Sequence, residues 1–390
     1  MEQICTCRII IEKHLQHQKE LFHNFIDFKK AFDRVWHEGL WHVLRRANIE
    51  PGLIEAMETL YQNTNSMIMV NNKIGDAFKT TVGVRQGCLL SPTLFNLYLE
   101  RIMTDALHDH ETSISIGGRK VCNLRFADDI DLLAGTNEEL QELTDKLNKS
   151  AAAFGMEISS EKSKVMVNTT QNTHASITLN GQTLDEVDKF KYLGALNTKD
   201  GTSDKEIRTR IATASAAMSN LNKIWKSKID LRIKIKLYKS LITTIFLYGC
   251  EAWTLTANNE KKIQAFEMKC FRKILRISYK EHQTNLNVWN QIEEATGPQE
   301  HLLSTVKRRK LSWYGHNIRH DSLIKTTIQG TVEGNRKRGR QRKSWSDNIK
   351  EWTQLTPGEL QKTAHDRQAW RRLSLSSALR SPRRRKSRDE

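Results

Sequence analysis

The sequence has little of what would place it in several large protein classes. Six cysteines occur in 390 residues, at positions 5, 7, 88, 122, 250 and 270, with no paired CxxC and no Cys/His cluster. That scatter argues against a zinc knuckle or ribbon and suits a reducing compartment. Proline is scarce: only Pro51 and Pro92 precede residue 298, which leaves the body free to be dense in regular structure. No apolar run approaches the roughly 18 residues of a membrane span. The amino terminus, MEQICTCRIIIEKHLQHQKE, is too charged for a secretory signal, and neither end carries a lipidation signature. No repeat recurs at solenoid periods.

What is abundant is positive charge, unevenly spread. Of the chain's 62 Lys and Arg and 45 Asp and Glu, residues 301–390 hold 23 and 8, so most of the formal +17 lies in the last quarter. It concentrates in KRRK (307–310), RKRGRQRK (336–343) and RRRKSR (383–388). Such runs suit a phosphate backbone or a nuclear-import receptor, and the expected location is nuclear after synthesis in the cytoplasm. Trp313, Tyr314 and Trp345 interleave with the first two runs, and bases stack on aromatic rings. Residues 380–390 read equally well as a solvated, disordered basic tail.

Periodicity predicts a strand over 21–28, one helix over 31–47 with Trp36, Leu40, Val43 and Ala47 on one face, and a helix over 52–62. A hairpin follows at 66–82, then a helix over 90–107 with Ser91 as N-cap and Pro92 in its first turn. Short strands surround Gly117-Gly118 and Asp128-Asp129. A capping box from Thr136 to Glu139 opens a helix bearing Leu140, Leu143 and Leu147 and closed by Gly155. KVMV and an Asn180-Gly181 hairpin come next. From 204 the pattern is helical, with Ile207, Ile211, Met218, Leu221 and Trp225 in one stripe. The expected fold class is α+β, an antiparallel sheet packed on helices and followed by a helical region.

Within this frame NLRFADDIDLLA (123–134) sets two carboxylates, Asp128 and Asp129, inside an apolar run. Adjacent like charges repel, so the pair is either a wet hairpin tip or the seat of a cation. A third apolar-flanked carboxylate, Asp27, closes the strand in FIDFKKAFD. Strands that end in acids at one sheet edge can gather three carboxylates around one pocket, the arrangement that two Mg²⁺ ions need for nucleotide joining.

Here a resemblance becomes specific. FIDFKKAFDRVWH, GVRQGCLLSPTLFN (83–96), FADD (126–129), GMEISSEKSK (155–164) and FKYLG (190–194) resemble, in order, five palm motifs of non-LTR (LINE-type) retrotransposon reverse transcriptases of the endonuclease-bearing subtype. WYGH…GRQRKSWSDNI resembles sequence downstream of that polymerase. The resemblance implies an RNA-directed DNA polymerase that uses two Mg²⁺ ions, with Mn²⁺ as a substitute. Its partners would be an RNA template, a DNA primer and dNTPs, with no membrane.

The resemblance also implies roles. Asp27 and Asp128 would hold metal, with Asp129 in support. Asp33 reads as a helix-start residue rather than a ligand. Phe28, Phe32, Arg85, Gln86 and Gly87 would meet the incoming nucleotide. Phe32 would be the gate against a ribose 2′-hydroxyl, with core packing as its other reading; Arg85 reads equally as a surface salt bridge. Lys162 would protonate departing pyrophosphate, or is simply an exposed lysine. Tyr192, Leu193 and Gly194 would support the primer end. Arg208, Arg210, Lys223 and Lys226 would hold duplex phosphates, and Arg336, Lys337, Arg338, Arg340, Arg342 and Lys343 would add further contacts.

The implied organisation is a palm over 1–200 with fingers largely missing, a helical thumb over 201–297, a basic helical region over 298–379 and the tail. On that reading the chain resembles an amino-terminally truncated member. A catalytically inactive remnant that only binds nucleic acid through its basic thumb and tail is the alternative. An intron maturase shares the palm but fits FADD and the long basic region less well.

Overall fold

In the computed structural model, which describes residues 1–62, 64–336 and 339–378, the apolar runs flanking the three carboxylates become strands of one sheet. The chain forms two compact units, residues 19–193 and residues 1–18 with 194–390. The first helix, α1 (Glu2–Gln16), thus goes with the later unit, although its sequence adjoins the first palm motif. The division falls at 193/194 rather than at 200/201.

In the 19–193 unit, β1 (Leu21–Ile26) is buried along its whole length and runs through the middle of the sheet. It is followed by α2 (His37–Arg46), α3 (Pro51–Gln62) and α4 (Ser91–Leu107). Then come β2 (Asn123–Phe126), β3 (Asp129–Ala134), α5 (Asn137–Ala153), β4 (Lys164–Asn168) and β5 (Asp185–Glu186). The order across the sheet is β5-β4-β1-β3-β2, antiparallel except for β4 with β5. α5 covers β1 and β3, and α4 packs on α5 and α2. Phe95, Tyr98, Ile102, Leu140, Leu143 and Leu147 fill the space between them, each at most 1% exposed. Burial of those side chains holds the sheet flat against its helices.

The helix expected over 31–47 breaks. Residues 31–34 form a 3-10 turn, Val35 is extended, and α2 begins only at His37. The backbone groups of Phe32 and Val35 are taken by Val84 N–H and Gly83 N–H, both at 2.8 Å, so the chain there pairs with 82–84 instead of coiling. Trp36 accordingly lies 45% exposed rather than on a buried stripe. Gly83 is required at this crossing: its φ is +92°, and an added Cβ would stand 3.1 Å from the Asp33 carbonyl. Ser91 does not cap α4; it is the first helical residue, buried, and its side chain makes no capping bond. The box at α5 is half made. Thr136 Oγ1 accepts from Glu139 N–H, while the Glu139 carboxylate takes the N–H groups of Ser113 and Gly135.

The other unit is helical: α6 (Asp204–Asn220), α7 (Asn222–Lys226), α8 (Leu231–Leu237), α9 (Thr243–Leu247), α10 (Ala257–Leu275), α11 (Asn285–Thr296), α12 (Leu302–Ile318), α13 (Leu323–Gln329), α14 (Trp345–Thr353), α15 (Pro357–His365) and α16 (Arg367–Ala378). Of the expected stripe, Ile207, Met218 and Trp225 are buried, while Ile211 and Leu221 are only half-buried.

The KRRK run is half buried, through Lys307 and Lys310, and all four of its cations have acceptors within the unit. Lys310, fully buried on α12, donates to the Trp253 carbonyl at 2.8 Å and to Asn348 Oδ1 at 3.0 Å, and its ammonium sits 4.5 Å from the Trp345 ring centre. Lys307 pairs with Glu260 at 3.2 Å, Arg308 with Glu300 through two 2.8 Å bonds, and Arg309 with Glu251 at 3.0 Å. Trp345 and Tyr314 are core residues, not stacking platforms. Buried cations need matched acceptors, and this unit supplies them.

Candidate active site at the sheet edge

The site is built by strand register. β1 runs antiparallel to β3 with Ile26 opposite Ile130, so the next residue out, Asp27, stands across from Asp129 at the strand ends. β2 and β3 are closed by the pair Phe126 and Asp129, leaving Ala127 and Asp128 as a two-residue turn. Ala127 holds a left-handed φ of +52°. That conformation costs a non-glycine roughly 1–2 kcal/mol and is kept where the surroundings demand it. Asp128 is therefore at the hairpin tip, beside Asp129.

The electrostatics agree with the register. Partial burial, then the carboxylates of Asp128 and Asp27, push the Asp129 carboxyl above the ordinary aspartate value. Asp27 is fixed by the segment 157–163. Its N–H donates to Ser163 Oγ at 3.2 Å, its carbonyl accepts from Ser159 N–H at 2.8 Å, and Lys29 N–H donates to the Glu157 carbonyl at 2.8 Å. One oxygen of Asp27, Oδ1, is buried and has no hydrogen bond. The nearest cation, Lys162 Nζ, stands 3.5 Å from it, at the outer limit for a hydrogen bond. Glu157 also pairs with Lys29 and, at 2.7 Å, with Arg34, which holds those cations away from the aspartates.

Sequence reasoning passed over Ser159, Ser163 and Glu157 as positioning residues. The repeated serines of EISSEKSK were the available signal, unread because hydroxyls are common in any loop.

Other expected residues divide. Phe32 is half-buried, its ring stacked on Phe95 at 4.6 Å, so core packing is real while an edge stays open. Asp33 lies in the 3-10 turn and accepts from Gln86 Nε2 at 3.3 Å, which makes it a turn residue with a partner. Gly87 has φ +87° and nothing within 4 Å of where a Cβ would stand.

Phe28 is a correction. It is 4% exposed, bridged to Ile158 and part of the core, because alternation after Asp27 turns it inward, so its ring cannot meet a nucleotide. Arg85 is another. Its guanidinium donates to the Leu60 carbonyl at 2.7 Å and to Thr64 Oγ1 and lies over the Tyr61 ring, so it closes the end of α3. Tyr192 is buried, its hydroxyl donating to the Leu124 carbonyl at 3.1 Å. Leu193 and Gly194 both hold positive φ, and a Cβ at Gly194 would meet the Tyr248 ring at 3.2 Å.

Among the expected phosphate contacts, Arg208, Lys223 and Lys226 are exposed and carry no ion pair among the described residues. Arg210 is corrected: it bonds Glu206 at 2.6 Å and the Gly194 carbonyl and lies over Tyr248, so its charge is spent inside its unit. Arg336 and Arg340 are exposed. Arg342 donates to the Asp200 carbonyl at 3.2 Å, and Lys343 pairs with Glu351. Lys337, Arg338 and the tail 380–390 lie outside the described residues.

Residues 1–196 match the family model described as reverse transcriptase (RNA-dependent DNA polymerase). The chain belongs to the reverse transcriptase family. Its relatives are of the non-LTR retrotransposon kind. It is 26% identical over 266 residues to the RNA-directed DNA polymerase from mobile element jockey of Drosophila melanogaster, covering 64% of this chain and 28% of that protein. A transposon-derived protein of Caenorhabditis elegans is 28% identical over 273 residues, covering 65% of this chain and 95% of that one. Against the jockey enzyme, then, this reverse transcriptase chain spans under a third of the length. Apo telomerase from Candida tropicalis is similar at a TM-score of 0.40 and 13% identity, over 84% of this chain and 56% of that one. No helix among the described residues is long and apolar enough to cross a membrane.

Proposed function

We propose that this chain extends a DNA primer with deoxynucleotides under the direction of an RNA template, as the palm-bearing part of a non-LTR retrotransposon polymerase. One observation carries the reading: strand register sets Asp27 across from Asp129 and beside Asp128 at a single sheet edge. A buried, unbonded oxygen on Asp27 and a raised Asp129 fit a hard divalent cation, which would relieve both. Two Mg²⁺ ions, or Mn²⁺ in their place, held by Asp27, Asp128 and Asp129 would activate the primer 3′-hydroxyl and neutralise the departing pyrophosphate.

The remaining work falls to the chain's own groups. Lys162, at 3.5 Å from Asp27, is the nearest proton donor for the pyrophosphate oxygen. The open edge of Phe32 rejects a 2′-hydroxyl by volume. Gln86 and the unobstructed backbone at Gly87 receive the nucleotide. Arg208, Lys223, Lys226, Arg336 and Arg340 offer contacts to phosphates without reading sequence. The basic runs, which suit a nuclear-import receptor, support work in the nucleus after synthesis in the cytoplasm.

The test is extension of a DNA primer on an RNA template with dNTPs and Mg²⁺. Extension that disappears in Asp128→Ala, with RNA binding retained, supports the reading. Binding without extension in the unaltered chain favours the inactive, nucleic-acid-binding alternative.

A further inference from the structure

The WYGH stretch lies on α12, and the polymerase reading makes no use of it. Gly315 is needed there because a Cβ would stand 2.1 Å from Trp370 Nε1 of α16, so only glycine lets the two helices close to this distance. Trp370 seals the contact, 3% exposed, with its indole N–H donating to the Leu311 carbonyl at 2.9 Å. Beside this seam runs a cavity of about 280 Å³. From α12 it is lined by Arg308, Ser312 and Arg319, which helical spacing puts on the same face as Gly315. From α16 it is lined by Arg367, Arg371 and Ser374, spaced by four and then three residues.

The charges of this groove are unbalanced, unlike those on the opposite side of α12. Arg308 is neutralised by Glu300. Arg319, Arg367 and Arg371 have no acidic partner among the described residues; Arg319 donates only to the Ala364 carbonyl, at 2.7 Å, and its Nε is buried and unbonded. Asp366 Oδ1 accepts from the N–H groups of Gln368 and Ala369 at the start of α16, and Asp366 makes no ion pair among the described residues. The floor of the groove is the Ser374 side chain, 3% exposed, whose hydroxyl bonds nothing in the protein. Burial, together with the like charge of Arg367, pulls the Arg319 guanidinium below its ordinary value, the mark of a cation lacking its counter-charge.

We propose that this groove between α12 and α16 binds a backbone phosphate of nucleic acid, gripped by Arg319, Arg367 and Arg371 with Ser374 donating from the floor. The inference rests on the nucleic-acid reading above and adds to it a discrete pocket that none of the sequence's basic runs indicated. Planar guanidinium forks match tetrahedral phosphate oxygens, and a hydroxyl donor supplies the fourth direction. The groove offers no exposed ring for a base, since Trp370 is buried, so the contact is independent of sequence.

The experiment measures binding of a labelled single-stranded RNA to the full chain by fluorescence anisotropy over a salt series, without dNTPs or Mg²⁺. The double variant R367Q/R371Q, both sites exposed, is expected to bind roughly tenfold more weakly and to lower the salt slope by about 0.7, the share of one lost phosphate contact on a single strand. K362Q/R372Q, which removes two exposed cations that do not line the groove, is the charge-matched control. S374A is expected to weaken binding while leaving the melting temperature unchanged or higher, because its hydroxyl holds nothing in the protein. An R367Q/R371Q loss no greater than that of K362Q/R372Q overturns the proposal. So does a groove that inorganic phosphate occupies while RNA affinity stays the same in every variant. Because no nucleotide is joined, a chain that fails to extend primers can still show the pocket. A chain that extends primers can likewise fail this test.

Discussion

Two clusters of charge in this chain were built on opposite terms. At the sheet edge Asp129 is pushed up by partial burial and by the carboxylates of Asp128 and Asp27, and the buried Asp27 oxygen has only the distant ion pair with Lys162, at 3.5 Å. In KRRK each of the four cations has its own acceptor: Lys307 with Glu260, Arg308 with Glu300, Arg309 with Glu251, and Lys310 with the Trp253 carbonyl and Asn348. A fold that pairs its charges uses them for cohesion, whereas a fold that leaves like charges facing one another stores an affinity for something else. The acidic cluster is poised for a cation; the basic run, despite its composition, is structural.

The most severe test of this contrast is Asp128→Ala. Primer extension should fall by at least about 10³-fold, the scale of removing a preorganised charge at a reacting centre, with RNA affinity unchanged. Next is Lys310→Gln, which leaves buried acceptors with a poorer donor. Urea unfolding should show a loss of about 1–3 kcal/mol, the cost of buried acceptors left unsatisfied, while RNA affinity per folded molecule holds. A variant that instead weakened RNA binding without destabilising the chain would erase the distinction between the clusters. Lys162→Ala should then reduce single-turnover extension by about 10²-fold, as expected for a lost general acid.

The smallest effect should come from Asp129→Asn in metal-free buffer. The folded-state pKa of Asp129 is raised, so the folded chain holds that proton more readily than the unfolded chain. Its contribution to stability is therefore present at low pH and is lost as pH climbs past the ordinary aspartate value of about 4. The variant should remove that slope from melting curves taken in EDTA and raise the neutral-pH melting temperature by about 1–2 °C. Added Mg²⁺ should stabilise the parent chain more than the variant, by mass action on the folded state.

Much of the fold was readable from residue order. The buried strand at 21–26, the stripes of α5 and α6, the Asn180-Gly181 hairpin and the carboxylates themselves all announce their elements through local periodicity and turn chemistry. The break after Arg34 was not readable, since it depends on residues 82–84 reaching back to take the backbone groups of Phe32 and Val35. Nor could composition tell that Lys310 and Trp345 meet inside the helical unit, or that Arg210 and Arg85 are occupied by carbonyls of their own units.

By itself the sequence determined which groups were available: three carboxylates on apolar stretches, a surplus of cations, and the periods that make strands and helices. Only the tertiary structure decided which of those charges face a partner and which face one another. Periodicity acts over neighbours a few positions apart, while compensation of charge depends on which distant segments the packing of the core brings within a few ångströms.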